Sequence, residues 1–111
     1  MKKIIVCPKL LVDGLAIFPF ILVKDESYLS DKKLINHEKI HLRQEIELLI
    51  IPFYIIYGIN WVINYFRYGS WIKAYSEIIF EREAYINDAD LEYLENRKPF
   101  SFIKYFFNKP I

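Results

Sequence analysis

The two histidines of the chain stand four residues apart, in the segment His37-Glu38-Lys39-Ile40-His41, and they are the only ones it has. On an α-helix, residues at this spacing share one side, so a single zinc ion can bind both imidazoles. Glu38 is rotated off the metal axis, where a carboxylate holds and deprotonates a metal-bound water rather than binding the ion. We therefore expect His37 and His41 to be zinc ligands and Glu38 to be the general base. The alternative is an ordinary helix with two histidines, although chance produces this motif in so short a chain only about a few times in a thousand.

A third metal ligand has to come from a carboxylate. A catalytic zinc usually takes three protein ligands and a water. The chain has no third histidine, and its one cysteine, Cys7, is expected to be a small buried strand residue. A helix predicted after Ser70 offers Glu77, Glu81 and Glu83. Taken individually, Glu77 and Glu83 are expected to be solvated charges on the helix surface.

Together the two patches resemble the gluzincin branch of the zincin metallopeptidases, which carry His-Glu-x-x-His on one helix and Glu-x-x-Ala-Asp, or a close relative, on a later one. Membrane-associated endopeptidases that process prenylated proteins and the beta-lactam sensor peptidases are of this kind. The later patch here is Glu81-Arg82-Glu83-Ala84, and both patches lie within residues 37–85. The resemblance implies that Glu81 is the third zinc ligand and that Ala84 lets the two helices approach each other.

One position departs from that pattern, because Tyr85 stands where the family prefers an aspartate that orients a ligand histidine. Either Glu77 or Asp88 is a candidate for this role, whose loss lowers metal affinity or activity about 10–100-fold. Tyr75 and Tyr85 are candidates for stabilising a developing oxyanion, the alternative being plain packing with a satisfied hydroxyl. Gln44 lies on the same helix stripe as the histidines, and we expect it either to bond near the metal or the substrate or to be structural.

The residues before the motif predict two strands. Residues 3–12 and 15–23 are rich in β-branched and aromatic residues, and the Asp-Gly pair between them is a strong hairpin turn signal. The proline inside each run cannot donate to a ladder and is expected at an unpaired edge. We expect one α+β domain over residues 1–111, in which an N-terminal β-hairpin precedes a mostly helical, zincin-like core.

Helices are predicted for the rest of the chain. Ser30 or Asp31 offers an N-cap for the helix that carries the motif, and a later helix over 71–97 is stopped by Pro99. Between the two helices, residues 48–66 contain no charge. In the predicted core, the motif helix packs against the later helix that carries the glutamates.

The uncharged run has to fold back if Glu81 is a ligand. A straight helix from His41 to the turn near Gly69 is about 42 Å long, whereas Glu81 lies only about 18 Å past that turn. The ligands would then be more than about 20 Å apart. We therefore expect a break at Pro52 or Gly58, where the helix backbone is weakest.

The composition excludes two classes of protein. Hydrophobic residues make up 54% of the 111 residues, too many for a disordered chain, and the formal charge of +1 gives no support to a nucleic-acid partner. A single cysteine favours a reducing, cytoplasmic location. A membrane span over 48–66 would place the histidines and Glu81 on opposite sides. We expect the surplus apolar surface of 48–66 and of the tail over 100–108 to make a peripheral membrane contact or a homodimer contact.

Two functions agree with these observations. The first is a zinc-dependent metallopeptidase that cleaves a peptide or protein substrate with a metal-activated water, the substrate pairing with the edge of the second strand. The second is a non-catalytic, zinc-stabilised membrane-surface or protein-interaction module. The aromatic excess and the basic, apolar tail favour this alternative.

Overall fold

Three short strands form one sheet at the N-terminal end of the computed structural model, which describes residues 3–106. The strands are β1 (Lys3–Val6), β2 (Gly14–Ile17) and β3 (Phe20–Val23), and their order in the sheet is β1-β3-β2. β3 pairs parallel with β1 and antiparallel with β2. The rest of the described chain is mostly helical, and helices make up 62% of all described residues, so the predicted α+β class is confirmed.

The hairpin differs from the predicted one. β2 and β3 form it around a two-residue turn, Phe18-Pro19, whose connecting peptide bond is cis. The Asp-Gly pair leads into β2 instead, and the carbonyl of Asp13 accepts the N–H of Lys24 at 2.9 Å. The predicted single strand over 15–23 is wrong because Pro19 has no N–H for a ladder and suits a turn.

The first strand is also shorter than predicted. β1 ends at Val6, and Pro8 follows it in a turn. Cys7 lies between them and is half-buried, so the prediction of a buried strand residue is wrong. The N–H of Cys7 still donates to the carbonyl of Val23 at 2.7 Å, which extends the contact between β1 and β3 by one residue.

The helix that carries the motif begins where the sequence predicts it. A 3-10 helix over Glu26–Ser30 precedes α1 (Lys32–Glu47), and Asp31 is the N-cap, since its side chain accepts the N–H of Leu34 at 3.1 Å. The buried face of α1 is largely polar. It includes Asn36, His37, Glu38, His41, Gln44 and Glu45.

The uncharged run folds back at residues 48–50, just before the predicted Pro52. α2 (Ile51–Tyr68) follows α1 after a bend of 112°, with Leu49 and Ile50 both in the positive-φ region. Pro52 lies in the first turn of α2, where a missing N–H costs no hydrogen bond, whereas Gly58 lies inside that helix. By length and composition, no single helix within residues 3–106 could cross a membrane, although α1 and α2 taken together could, across their bend.

The predicted helix over 71–97 is wrong as a continuous element, because it consists of three helices. They are α3 (Trp71–Ser76), α4 (Ile79–Asn87) and α5 (Tyr93–Asn96). Gly69, with φ of 66°, ends α2, and Ser70 caps α3 through the N–H of Lys73, as the sequence predicts.

Two asparagines of α2 stabilise the break between α3 and α4. Asn60 accepts the N–H of Ile79 at 2.9 Å, and Asn64 donates to the carbonyl of Ala74 at 3.1 Å. These side chains satisfy backbone groups that a broken helix would otherwise leave unpaired. The chain can therefore change direction between α3 and α4 without losing these hydrogen bonds. This change of direction orients α4, the helix that carries Glu81.

The tail packs on α4. A 3-10 helix over Ser101–Phe106 buries Phe102 and Tyr105, whereas Ile103 and Phe106 are exposed. Residues 107 and 108 of the predicted amphipathic tail lie outside the described residues. Phe102 joins the main core cluster, which also contains Phe53, Ile78, Ile79 and Phe80.

Candidate metal centre

Two histidines of α1 and one glutamate of α4 converge on a point in the protein interior. The Nε2 atoms of His37 and His41 lie 3.0 and 3.1 Å from the same oxygen, Oε1 of Glu81. All three residues are buried, and the three ligand atoms lie within 4.8 Å of one another. The structure thus brings together the three residues predicted as metal ligands.

The elements explain this convergence. The four-residue spacing on α1 puts both imidazoles on the side that packs against α4. Glu81 lies in the first turn of α4, where the helix dipole favours a carboxylate. Ala84, one turn later, is fully buried, as expected for a small residue between two close helices.

The other ring nitrogen of His37 has a carboxylate partner. Nδ1 of His37 lies 3.0 Å from Oδ2 of Asp88, which is itself buried. The side-chain amide of Asn36 donates to the carbonyls of Asp88 and Asp90 at 2.9 and 3.0 Å. Nδ1–H of His37 can therefore donate to Asp88, which leaves Nε2 free to bind a cation.

Of the two candidates for this orienting role, Asp88 and not Glu77 contacts a histidine. Glu77 lies beside Arg82 instead, with 3.5 Å between Oε1 and Nε. Glu77 is also buried, so the prediction of a solvated surface charge is wrong there. The short α3 ends at this residue, which turns the side chain inward.

His41 is oriented by an amide. Nδ1 of His41 lies 2.8 Å from Oε1 of Gln44, and the amide nitrogen of Gln44 donates to the carbonyl of Phe80 and to Glu83. The three-residue spacing from His41 was a usable signal for this contact. Gln44 therefore bonds to a candidate metal ligand, which is one of the roles predicted for it.

Behind Gln44 lies an ion cluster that the sequence analysis does not predict. Glu83 is fully buried, so the expected surface position is wrong, and it accepts from Tyr93 and from the guanidinium of Arg97. Arg97 also makes two hydrogen bonds to Glu47, at the end of α1. The opposite charges make burial of these groups tolerable, and the cluster joins α1, α4 and α5.

A tyrosine that the sequence analysis does not single out holds the second oxygen of Glu81. The hydroxyl of Tyr57 donates to Oε2 of Glu81 at 2.6 Å. Burial, followed by the nearby Glu81 charge, raises the pKa of Tyr57 above its usual range, so its proton stays in this bond. No spacing signals this contact, because it depends on the bend that brings α2 back over α1.

Tyr85, which stands where the resemblance predicts an aspartate, packs its ring on a histidine. Its ring meets that of His37 edge-on, with the centroids 4.5 Å apart, and its hydroxyl donates to that of Tyr75 at 3.2 Å. Burial and the Glu81 charge raise the pKa of Tyr75 above its usual range. Both phenols therefore stay protonated at neutral pH and can donate a hydrogen bond.

Glu38 lies between two cavities. One, of about 620 Å³, is bordered by His37 and Asp88; the other, of about 280 Å³, is bordered by His41 and Glu81, and Glu38 lines both. Burial raises the pKa of Glu38 above its usual range, although the two histidines oppose the shift. A carboxylate with a raised pKa beside open space is suited to accepting a proton from water.

The charges of the three converging residues compensate one another. Burial alone would lower the pKa of His41, but the adjacent Glu81 carboxylate raises it to about 10. Burial would raise the pKa of Glu81, but His41 and His37 hold it well below its usual range. The protein thus keeps a positive charge in place against Glu81, and a divalent cation could occupy the same position in exchange for protons.

The donor set fits a metal ion. Two imidazole nitrogens and one carboxylate oxygen are a common catalytic zinc set, and they also suit other divalent first-row metals. The contacts of His37 and His41 through Nδ1 also agree with metal binding, because they hold each ring with its Nε2 toward Glu81. The site could hold a metal ion, and its donors do not select zinc alone.

In comparisons with known proteins, the chain matches no protein-family model, no curated protein and no solved structure.

Proposed function

We propose that the chain is a zinc-dependent, gluzincin-like metallopeptidase that hydrolyses a peptide or protein substrate. The observation that carries this proposal is the convergence of His37, His41 and Glu81, with Glu38 beside them. Zinc bound there would polarise the scissile carbonyl and lower the pKa of a bound water. The remaining steps belong to residues of the chain.

Glu38 is the general base of the proposed reaction. It follows His37 directly on α1 and borders both cavities, so it faces the space where water and substrate meet. There it takes a proton from the attacking water and passes it to the leaving amine. Tyr75, which lines the same two cavities with its hydroxyl protonated, is the candidate donor to the developing oxyanion.

β2 supplies the edge on which an extended substrate can pair. In an antiparallel pair, alternate residues bond to the partner strand, and the carbonyl of Asp13 bonds to Lys24 beyond β3. The polar backbone groups of Gly14 and Ala16 therefore point away from β3. The carbonyl of Ala16 accepts from the hydroxyl of Tyr54 at 3.0 Å, which agrees with this direction, so a substrate that pairs at Ala16 shares its carbonyl with Tyr54. Backbone pairing of this kind gives affinity without a demand for one side-chain sequence.

The metal-binding part of the proposal is tested by the metal content of the purified chain. After dialysis against zinc, wild type should hold one equivalent by mass spectrometry, and His41→Ala should hold far less. Glu26→Gln, which changes an exposed carboxylate, is the matched control and should keep the metal. Absence of zinc from wild type, or an unchanged content in His41→Ala, contradicts the ligand assignment.

The catalytic part is tested with Glu38→Gln. This variant should retain zinc and lose hydrolysis of an unstructured protein such as casein, because the ligands are intact and the base is gone. Hydrolysis at the wild-type rate by Glu38→Gln would exclude Glu38 as the base. Zinc binding without hydrolysis by wild type would favour the second candidate.

The second candidate is a non-catalytic, metal-stabilised module for interaction with a membrane surface or another protein. The observation that favours it is the continuous buried network from His41 through Gln44 and Glu83 to Arg97, which ties the metal position to the packing of three helices. In such a module, chelation would lower the melting temperature, and Glu38→Gln would change nothing but local stability.

A further inference from the structure

The outward side of α2 is apolar along its whole length. Five side chains spaced three or four residues apart form one stripe, with exposed fractions between 47% and 82%. They are Ile51, Ile55, Ile59, Val62 and Phe66. A helix that faces water normally shows the reverse pattern, with polar residues on this side.

The two asparagines of α2 lie on the inner side instead. Asn64 is buried and Asn60 is half-buried, and both bond to backbone groups of the next two helices. α2 therefore uses its amides to hold α3 and α4 and leaves its hydrocarbon side chains exposed. The amides bond to backbone groups at the break between α3 and α4. If α2 were rotated about its axis, those backbone groups would lose their partners and the amides would lose theirs.

The exposed surface continues onto α3. Trp71 is 70% exposed and Ile72 is 81% exposed, immediately after the end of α2. We call the five-residue stripe of α2 together with Trp71 and Ile72 the apolar face. A patch this long exceeds the scattered apolar side chains that are normal on a water-soluble surface.

The charged residues within the segment that carries the apolar face are all of one sign. From residue 48 to residue 76 the sequence contains Arg67 and Lys73 and no aspartate or glutamate, although the whole chain has fourteen acidic residues. Both cations lie 5.3 Å from the ring of Tyr68, at the end of the face where α2 meets α3. Basic residues beside exposed aromatic and aliphatic side chains are typical of helices that lie on anionic membranes.

We infer that the apolar face docks on the surface of a membrane that contains anionic lipids. α2 lies along the membrane plane, because its exposed stripe runs from Ile51 to Phe66, about 24 Å of helix. The stripe enters the boundary between headgroups and acyl chains, and Trp71 lies at that boundary. Arg67 and Lys73 contact the lipid phosphates. This inference does not depend on the proposed metal chemistry.

The charge pattern favours lipid over a second copy of the chain. In a twofold dimer through this face, the cations of one copy would face an identical surface, which offers no carboxylate from residue 48 to residue 76. An anionic bilayer supplies both the apolar phase and the opposite charge. A protein partner would have to combine a large apolar groove with acidic residues at one end.

Vesicle flotation with the full chain tests the inference. We expect the chain to float with vesicles of phosphatidylcholine mixed with phosphatidylglycerol, and more weakly with phosphatidylcholine alone. Of the two tryptophans of the chain, Trp71 belongs to the apolar face, and Trp61 of α2 packs against Trp71 with the ring centroids 5.0 Å apart, so the tryptophan fluorescence reports on this face. Brominated lipids should quench it, which measures contact without any variant.

Matched variants locate the contact. Ile59→Glu should lower binding about tenfold or more, because it puts a charge where an aliphatic side chain was buried in lipid. Leu91→Glu is the control, since Leu91 is 51% exposed and Ile59 is 55% exposed. Arg67→Gln should lower binding to the anionic vesicles about fivefold and leave the neutral ones unchanged, whereas Lys24→Gln should do neither.

Three results would overturn the inference. The first is wild type that stays unbound with both kinds of vesicle and is not quenched by brominated lipid. The second is an equal loss of binding in Ile59→Glu and Leu91→Glu. The third is a stable dimer in sedimentation equilibrium that Ile59→Glu dissociates while wild type binds no vesicles. Should Ile59→Glu fail to fold by circular dichroism, the quenching of wild type decides the question.

Discussion

The carboxylate of Asp88 lies 3.0 Å from Nδ1 of His37, on the side of the ring opposite the nitrogen that faces Glu81. Asp88 follows the last residue of α4, seven residues after Glu81, so one short helix supplies both partners of the same imidazole. Residue 85, where the resemblance predicts an aspartate, is a tyrosine, and Asp88, three residues further on, contacts the ring instead. A carboxylate in this position fixes the ring and makes the ligand nitrogen more basic.

Removal of this carboxylate should weaken the candidate metal site. We expect Asp88→Ala to lower zinc affinity about 10–100-fold, because His37 loses the acceptor that fixes its ring. A competition titration against a chelating dye measures the change. Glu95→Gln, at an exposed carboxylate of α5, should bind zinc as wild type does. Equal affinities for all three proteins would show that Asp88 has no orienting role.

Gln44 should be a stability residue as well as a partner of His41. Its side chain bonds to His41, to the carbonyl of Phe80 and to Glu83, and it is fully buried. Gln44→Leu removes all three of these interior hydrogen bonds, so we expect the free energy of unfolding to fall by about 1–3 kcal/mol. Urea denaturation of wild type, Gln44→Leu and Arg43→Leu provides the comparison. Arg43 is a half-buried neighbour of Gln44 on α1. A loss no larger than that of the Arg43 variant would contradict the prediction.

Arg97 should matter more than any surface cation. It lies between Glu83 and Glu47, and Arg97→Met would leave two carboxylates near each other in the interior. Breaking a buried pair in this way costs about 3–5 kcal/mol. Thermal unfolding measures the effect, and Arg43→Met is the control. We expect Arg97→Lys to recover only part of the loss, because an ammonium cannot form the paired bonds of a guanidinium.

The convergence of His37, His41 and Glu81 was predictable because it depends on local spacing and on one family resemblance. The four-residue step on α1 needs no tertiary information, and Ala84 marks a close helix contact. The contacts of Tyr57 and Arg97 could not be predicted in this way. Tyr57 reaches Glu81 only because α1 and α2 are bent by 112°, and Arg97 reaches Glu47 across fifty residues of chain.

The fold was predictable where a single residue dictates the backbone. Asp31 and Gly69 cap helices for local reasons, and Pro52 can stand only in the first turn of α2. The sheet was less predictable, because the run over 15–23 is equally apolar on both sides of Pro19. The break between α3 and α4 depends on Asn60, which lies nineteen residues before the N–H that it accepts, so no local pattern shows it.

The contribution of Glu45 to the free energy of unfolding should fall as the pH rises. Burial raises the pKa of Glu45 above its usual range, although the N–H of Phe18, which bonds to Oε1 at 2.9 Å, opposes the shift. A carboxyl with a raised folded-state pKa keeps its proton in the folded protein when the unfolded chain has lost it. Its contribution is therefore present below the unfolded value, about 4.5, and is lost as the pH rises through the folded value.

The comparison of Glu45→Gln with wild type isolates this effect. As the pH rises from acidic to neutral, the free energy of unfolding of the variant should increase relative to that of wild type, because glutamine has no proton to lose. Urea denaturation at several pH values, with a chelator present, measures the difference. Glu92→Gln changes an exposed carboxylate and should run parallel to wild type. Parallel curves for Glu45→Gln as well would mean that Glu45 has the same pKa in both states.

Gly14 should control the position of the proposed base. A Cβ atom at Gly14 would lie 3.2 Å from Oε2 of Glu38 and 3.2 Å from a methyl group of Leu34, closer than ordinary contacts. Gly14→Ala therefore pushes the Glu38 carboxylate aside by a few tenths of an ångström and fills part of the edge of β2. We expect hydrolysis to fall about tenfold, since misplacement of a reacting group is costly, and unfolding free energy to fall by about 1 kcal/mol.

The metal should be unaffected by the same change, because the atoms that a Cβ at Gly14 would meet first belong to Glu38 and Leu34. Gly58→Ala is the matched control: a Cβ there meets nothing within 4 Å, so it should raise stability by about 0.5–1 kcal/mol as alanine does in a helix, without loss of activity. Zinc content and hydrolysis measured on both variants separate the two effects. Loss of zinc from Gly14→Ala would show that β2 supports the ligands themselves, whereas full activity would show that the Glu38 carboxylate does not need its observed position.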